Sequence, residues 1–233
     1  METSFYCGKG LNIMKELICL IGPSGGGKST VSKILSESYH YTLASTTFFV
    51  KDLKKKIQST KNYLYDTNEL IAAVSLYYKF GFNEFISERL DSLNSDKIVW
   101  DSCININDIE VILSRFDRVT FLALTAAYDV RIKRIIARGT YPQKSYTDVR
   151  KIIDKIDQYE RSLGLGDLIL LSDYTICVEG LDHLKESIDR FMSICIPTSV
   201  EEKIRNCNYK FPLPTAENIN LLPLSEYLEE TEK

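Results

Sequence analysis

ELICLIGPSGGGKST, residues 16–30, decides the fold of this chain. Its first six residues are almost all apolar, as expected of a short strand buried on both faces. The next nine match the pattern G-x-x-x-x-G-K-[ST] through Gly22, Gly27, Lys28 and Ser29. In that spacing successive backbone N–H groups can wrap a phosphate, because glycine removes the side chains that would block its approach. From Ser29 the pattern turns helical, with Val31, Ile34 and Leu35 spaced to pack one face on a sheet. Strand, glycine loop, helix is the context the motif requires. We therefore assign Gly22, Ser24, Gly25, Gly26, Gly27, Lys28, Ser29 and Thr30 to phosphate binding.

Working outward, YTLAST (41–46) reads as a second short strand. After it, FFVKDLKKKIQ is either a helix with a solvated basic face or a segment whose Lys51, Lys54 or Lys55 reaches an anionic acceptor. TNELIAAVSLYYKFGFNEFISERLDSL reads as two helices broken near Gly81, and its Tyr-rich stripe as core. KIVWDS then ends an apolar run on Asp101. A carboxylate at the C-terminal end of a buried parallel strand points into the ligand crevice, where it would face Mg2+ held by Ser29. The strand VTFLAL (119–124) leads into the helix YDVRIKRIIARGT, in which Arg131, Arg134 and Arg138 share a face. Arg134 and Arg138 are candidates for a phosphate clamp, whereas Arg131 is read as pairing with local acids. A charged amphipathic helix runs to about Leu163, LGLGDLILLSDYTICVEG supplies an apolar segment and a strand, and LDHLKESIDRFMSIC closes the domain.

A formal charge of -3 gives no basic excess of the kind that attracts nucleic acid or an anionic membrane, so the sequence argues against nucleic acid as partner. No apolar run approaches the roughly 20 residues a membrane helix needs. Six scattered cysteines without a C-x-x-C pair or a secretory signal fit free thiols and a cytoplasmic location. Neither His40 nor His183 has a partner at zinc-ligand spacing. The expected organisation is an extension over 1–13, a domain over 14–196 and an arm over 197–233. That last segment carries four of the six prolines and no glycine. Residues 201–233 hold four basic and seven acidic side chains, which makes the arm acidic. It is either a disordered end or an element that packs on its own or another subunit.

With GPSGGGKST, KIVWDSCIN, RIKRIIARG and YERSLGLGDLILLSDYTICVEG in this order, the chain resembles the P-loop nucleoside and nucleotide kinases over about residues 15–192. It is most similar to a nucleotide-kinase-like P-loop ATPase family related to dephospho-coenzyme A kinase, and more distantly to guanylate kinases. The resemblance implies a three-layer α/β/α P-loop NTPase fold with a mainly parallel sheet and helical acceptor and lid insertions. It also implies ATP in the loop, Mg2+ on Ser29 and Asp101, charge neutralisation by Lys28, and Arg134 and Arg138 closing as a lid.

Departures lie on the acceptor side. Related kinases often read Ser-Thr-Gly-Asp-x-x-Arg after the second strand, whereas this chain reads Ser45-Thr46-Thr47-Phe48-Phe49-Val50-Lys51. The acceptor carboxylate is then lost unless Asp52 takes its place by a shift in register. Asp101-Ser102-Cys103-Ile104 stands where Asp-Gly-Ile-Arg is usual, and Val178 where an Asn is expected. Two functions follow. One is an ATP-dependent phosphotransferase acting on a nucleotide, a nucleoside or a related small anionic acceptor. The other is a nucleotide-binding regulatory NTPase with a degenerate acceptor site, a protein partner and assembly through the arm.

Overall fold

The computed structural model describes residues 15–45, 90–103, 108–113, 115–180, 183–194 and 198–199. Its strands are β1 (Glu16–Ile21), β2 (Thr42–Ala44), β3 (Lys97–Cys103), β4 (Arg118–Thr125), β5 (Tyr174–Cys177) and β6 (Thr198–Ser199). Its helices are α1 (Lys28–Tyr39), α2 (Asp108–Leu113), α3 (Tyr128–Ala137), α4 (Tyr146–Ser162), α5 (Leu165–Leu170) and α6 (Leu184–Ile194). The first five strands are parallel in the order β2-β3-β1-β4-β5, and β6 pairs antiparallel with the start of β4. The expected boundary of the arm at residue 197 thus falls one residue before a strand that joins the sheet.

The alternation of β1 builds three layers. Leu17, Cys19 and Ile21 enter one core with Ile109 and Ile112 of α2 and Leu165 and Leu168 of α5. Ile18 and Leu20 enter the opposite core with Val31 and Leu35 of α1 and Leu184, Ile188 and Phe191 of α6. A strand covered on both faces needs apolar residues at every position, so ELICLI lacks the polar alternation of a half-exposed strand. This is the three-layer α/β/α P-loop fold, with β1 at the centre of its sheet.

Two local features aim side chains at the end of β1. In the β1–β3 ladder, Cys19 pairs with Trp100 but Ile21 pairs with Cys103, so β3 carries one extra residue there. Such a bulge bends the strand and redirects its side chains, and it falls at Asp101 and Ser102. On the far side of β1, α3 and α4 form a helical pair with a core of their own, built from Ile132, Ile135, Val149, Ile153 and Ile156. The start of α4 is fixed by a capping box in which Asp148 N–H donates to Ser145 Oγ at 3.1 Å and Ser145 N–H donates to Asp148 Oδ2 at 3.2 Å.

Lys51, Asp52, Lys54 and Lys55 lie outside the described residues, as do Phe48, Ile104 and most of the segment read as two helices broken near Gly81. YTLAST narrows to the three residues of β2, and the apolar stretch after Leu163 opens as a short helix before β5.

Candidate functional site

Gly22 to Gly27 join the end of β1 to the start of α1. The loop runs so close to β4 that a Cβ on Gly22 would lie 2.2 Å from Leu124 O, which excludes every other residue. Gly27 closes the loop as the N-cap of α1, at φ 105°, with Val178 against its back. No side chain caps this helix, and its first turn contains no acidic residue. The N–H groups that open the helix, with the positive end of its dipole, are therefore available to an anion.

Lys28 reaches back along the loop. Its ammonium donates to Pro23 O at 3.1 Å and closely to Gly22 O, and the residue is 9% exposed. Burial lowers its pKa below the ordinary lysine value; the carboxylates of Glu160 and Asp101 oppose that shift, and Arg131 and Arg138 add to it. Lys28 is thus the cation at the centre of a cluster of opposed charges.

Asp101 lies in the C-terminal half of β3, two residues before its end at Cys103, and is 9% exposed. Ser45, just past β2, donates its hydroxyl to Asp101 Oδ2 at 3.4 Å. The hydroxyl of Ser29 and the carboxylate of Asp101 are hard oxygen donors of the kind Mg2+ takes, with water and phosphate oxygens filling its remaining positions. Such a pair fits a metal held jointly with a phosphorylated ligand better than an all-protein cage. Accordingly, no group of three or more His, Cys, Asp or Glu able to hold a metal occurs among the described residues.

The other wall of the site comes from α3 and α4. Ser24 donates its N–H to Glu160 Oε2 at 3.3 Å and its hydroxyl to Glu160 Oε1 at 3.1 Å. Its carbonyl accepts from Arg131 Nε at 2.8 Å. All three polar groups of Ser24 are therefore held by residues more than a hundred positions away. Arg131 completes the tie with a bidentate pair to Asp157, one arm at 2.9 Å and the other closer. Glu160 is 4% exposed. Burial raises its carboxyl pKa above the ordinary value, and Lys28 and the two bonds from Ser24 pull it back.

The three arginines of α3 separate in the structure. Arg131 turns inward to Asp157 and the loop, in keeping with its reading as a residue paired with acids. Arg134 donates to Val178 O at 2.7 Å and Gly25 O at 3.3 Å, so it braces the loop against the residue that follows β5. Arg138 is exposed at the end of α3, with its charge felt at Lys28. The structure thus gathers Lys28, Asp101, Arg134 and the glycines around one loop. Thr30 N–H is engaged with Gly27 O at 3.0 Å, and Ser29 is exposed at the helix start.

Sequence reasoning passed over Asp157 and Glu160. Their signal was nevertheless present. Val149, Ile153, Ile156 and Glu160 form the buried stripe of α4, with spacings of four, three and four, so Glu160 is a charge on the apolar face.

No family model matches the chain. In sequence, it is similar to two proteins described as "UPF0200 protein". The one from Methanothrix thermoacetophila is 23% identical over 176 residues, covering 74% of this chain and 94% of the relative. The one from Methanothermobacter thermautotrophicus is 24% identical over 169 residues, covering 70% and 82%. In structure, it is similar to TT1252 from Thermus thermophilus, with a TM-score of 0.53 and 14% identity over 77% of this chain and 97% of that one. An uncharacterized protein from Eubacterium ventriosum, 14% identical, covers 78% of this chain with 100% of its own and a TM-score of 0.50. These likenesses agree with the three-layer fold. No described helix is long and apolar enough to cross a membrane.

Proposed function

We propose that the protein is an ATP-dependent phosphotransferase that acts on a nucleotide, a nucleoside or a related small anionic acceptor. One observation carries this reading: Lys28 and Asp101, buried and of opposite charge, lie near enough for the carboxylate to be felt at the ammonium, beside a loop whose helix start is uncapped. Phosphoryl transfer asks mainly for positioning and charge neutralisation, and these groups supply both. The loop N–H groups and Lys28 would hold the triphosphate, and Ser29 and Asp101 would hold Mg2+, which would neutralise negative charge there. Arg138 is the arginine of α3 best placed to close over the transferred group, since it is exposed at the helix end. Asp52 is proposed to stand on the acceptor side. The γ-phosphoryl would pass to an acceptor oxygen, leaving the diphosphate and releasing the acceptor's proton.

The test is a panel of nucleosides, nucleoside monophosphates and dephospho-coenzyme A incubated with ATP and Mg2+. A phosphorylated product from one of them is the expected result. If ATP binds and no acceptor is modified, the phosphotransferase reading falls and a regulatory nucleotide-binding module stands in its place. The contacts of Arg134 favour this second reading, because two of its donors are engaged with backbone carbonyls rather than free for a phosphoryl group. In either case the domain is proposed to span 14–196, with 1–13 and 197–233 as appendages and the arm as the route to assembly. Deleting 197–233 should then change the oligomeric state or partner capture.

A further inference from the structure

We propose that Glu160 sets the phosphate count this loop prefers: its carboxylate stands at the β/γ end of the cradle and disfavours a third phosphate relative to a second. The inference rests on the nucleotide-binding half of the proposed function and needs no acceptor.

The position follows from Lys28. In a phosphate loop the backbone N–H groups take the α and β phosphates, and the lysine reaches the β and γ phosphates. Here the Lys28 ammonium lies at the carbonyls of Gly22 and Pro23, which places the β/γ end at the opening residues of the loop. The next residue is Ser24, and Glu160 receives both its N–H and its hydroxyl. Glu160 also dominates the carboxylate field at Lys28, ahead of Asp101. The carboxylate is thus an internal anion at the end of the loop where a terminal phosphate would arrive.

The groups facing it do not cancel its charge fully. Lys28 of α1 attracts it, but the same ammonium must serve the phosphates. Arg131 of α3 is engaged by Asp157 in a bidentate pair, so those two charges offset each other and Arg131 is not free to balance Glu160. Placed beside the buried carboxylate of Glu160, a diphosphate brings less charge to this end than a triphosphate does. The penalty therefore grows with the terminal phosphate, and discrimination is the consequence. A triphosphate is accommodated when Glu160 withdraws from Ser24, so the affinity it loses is spent on moving the last turn of α4.

Glu160→Gln removes the charge and keeps the contacts, because a serine hydroxyl can accept from the amide N–H as well as donate. Titration calorimetry of ATP and ADP, each with Mg2+, should show ATP binding about tenfold tighter in the variant than in the native chain, with ADP changed far less. Equal changes for both nucleotides, or none, would reduce Glu160 to a residue that only holds the loop, and the proposal would be overturned. Failure of the native chain to bind either nucleotide overturns it too, together with the reading of the loop itself. Binding of both nucleotides with no product from any acceptor sinks the transferase reading alone. Should the variant not fold, hydrogen exchange on the native chain decides. Amides of 157–162 should exchange faster with ATP bound than with ADP bound, and equal protection in the two complexes counts against displacement of Glu160.

Discussion

The two sides of the loop are built differently. On the α3–α4 side the loop is tied down at Ser24 and Gly25 by Glu160, Arg131 and Arg134, and Arg131 is itself locked to Asp157. On the β2–β3 side Ser45 donates its hydroxyl to Asp101 at 3.4 Å beside a strand bulge. The first arrangement spends buried charge to fix one geometry. The second sets a buried carboxylate beside the loop on a strand whose register shifts at that point. One wall of the loop is thus set by charged ties between distant parts of the chain, and the other by a strand irregularity beside a carboxylate.

The sharpest way to break that division is at Lys28, which answers to both sides. Lys28→Ala should cut phosphoryl transfer by at least about a hundredfold, because charge neutralisation at the transferred group is lost. Retention of near-native turnover in a coupled ATP assay would mean the cluster around it is structural only. Next in size is Arg131→Ala. It leaves the partly buried Asp157 without its partner and frees the carbonyl of Ser24, losses that cost about 1–3 kcal/mol. Chemical denaturation should register that loss, and nucleotide affinity should fall with it. A variant as stable as the native chain would show that the tie on the α3–α4 side does not hold the loop.

The smallest effect is expected at the start of α4, far from phosphate. Ser145→Ala removes the N-cap and should lower the thermal midpoint by about 2–4 °C. The Ser145 hydroxyl and N–H hold the Asp148 carboxyl below its ordinary value of 3.8. A depressed carboxyl contributes stability above that ordinary value and loses it as pH falls through the lower folded-state value. The difference between variant and native chain should therefore narrow in strong acid, and a difference that stays constant with pH would count against the capping box.

Much of the fold was legible because its signals are local. ELICLI is β1 to the residue, KIVWDS places Asp101 at a strand end, and the switch to helical spacing after the glycines marks α1. The arginines of α3 were legible as a set, but not their separate fates. One helical face spans enough angle for Arg131 to point at α4, Arg134 at the loop and Arg138 at solvent, and only tertiary packing chooses among these. Glu160 escaped because a charged helix near a glycine pair reads as surface. Its place in the stripe with Val149, Ile153 and Ile156 has meaning only once one asks what buried group could balance it. Asp52, the acceptor-side carboxylate of the sequence reading, falls outside the described residues.

The tie at Ser24 also orders events in time. Residue 24 leaves the ribosome long before residues 131, 157 and 160, and a contact between such distant points forms only after the intervening loop has been closed at an entropic cost. The glycine sequence exists early, whereas its shape waits for α3 and α4 to dock. A nascent or truncated chain ending before residue 128 would carry the glycine motif without the ties that fix its shape.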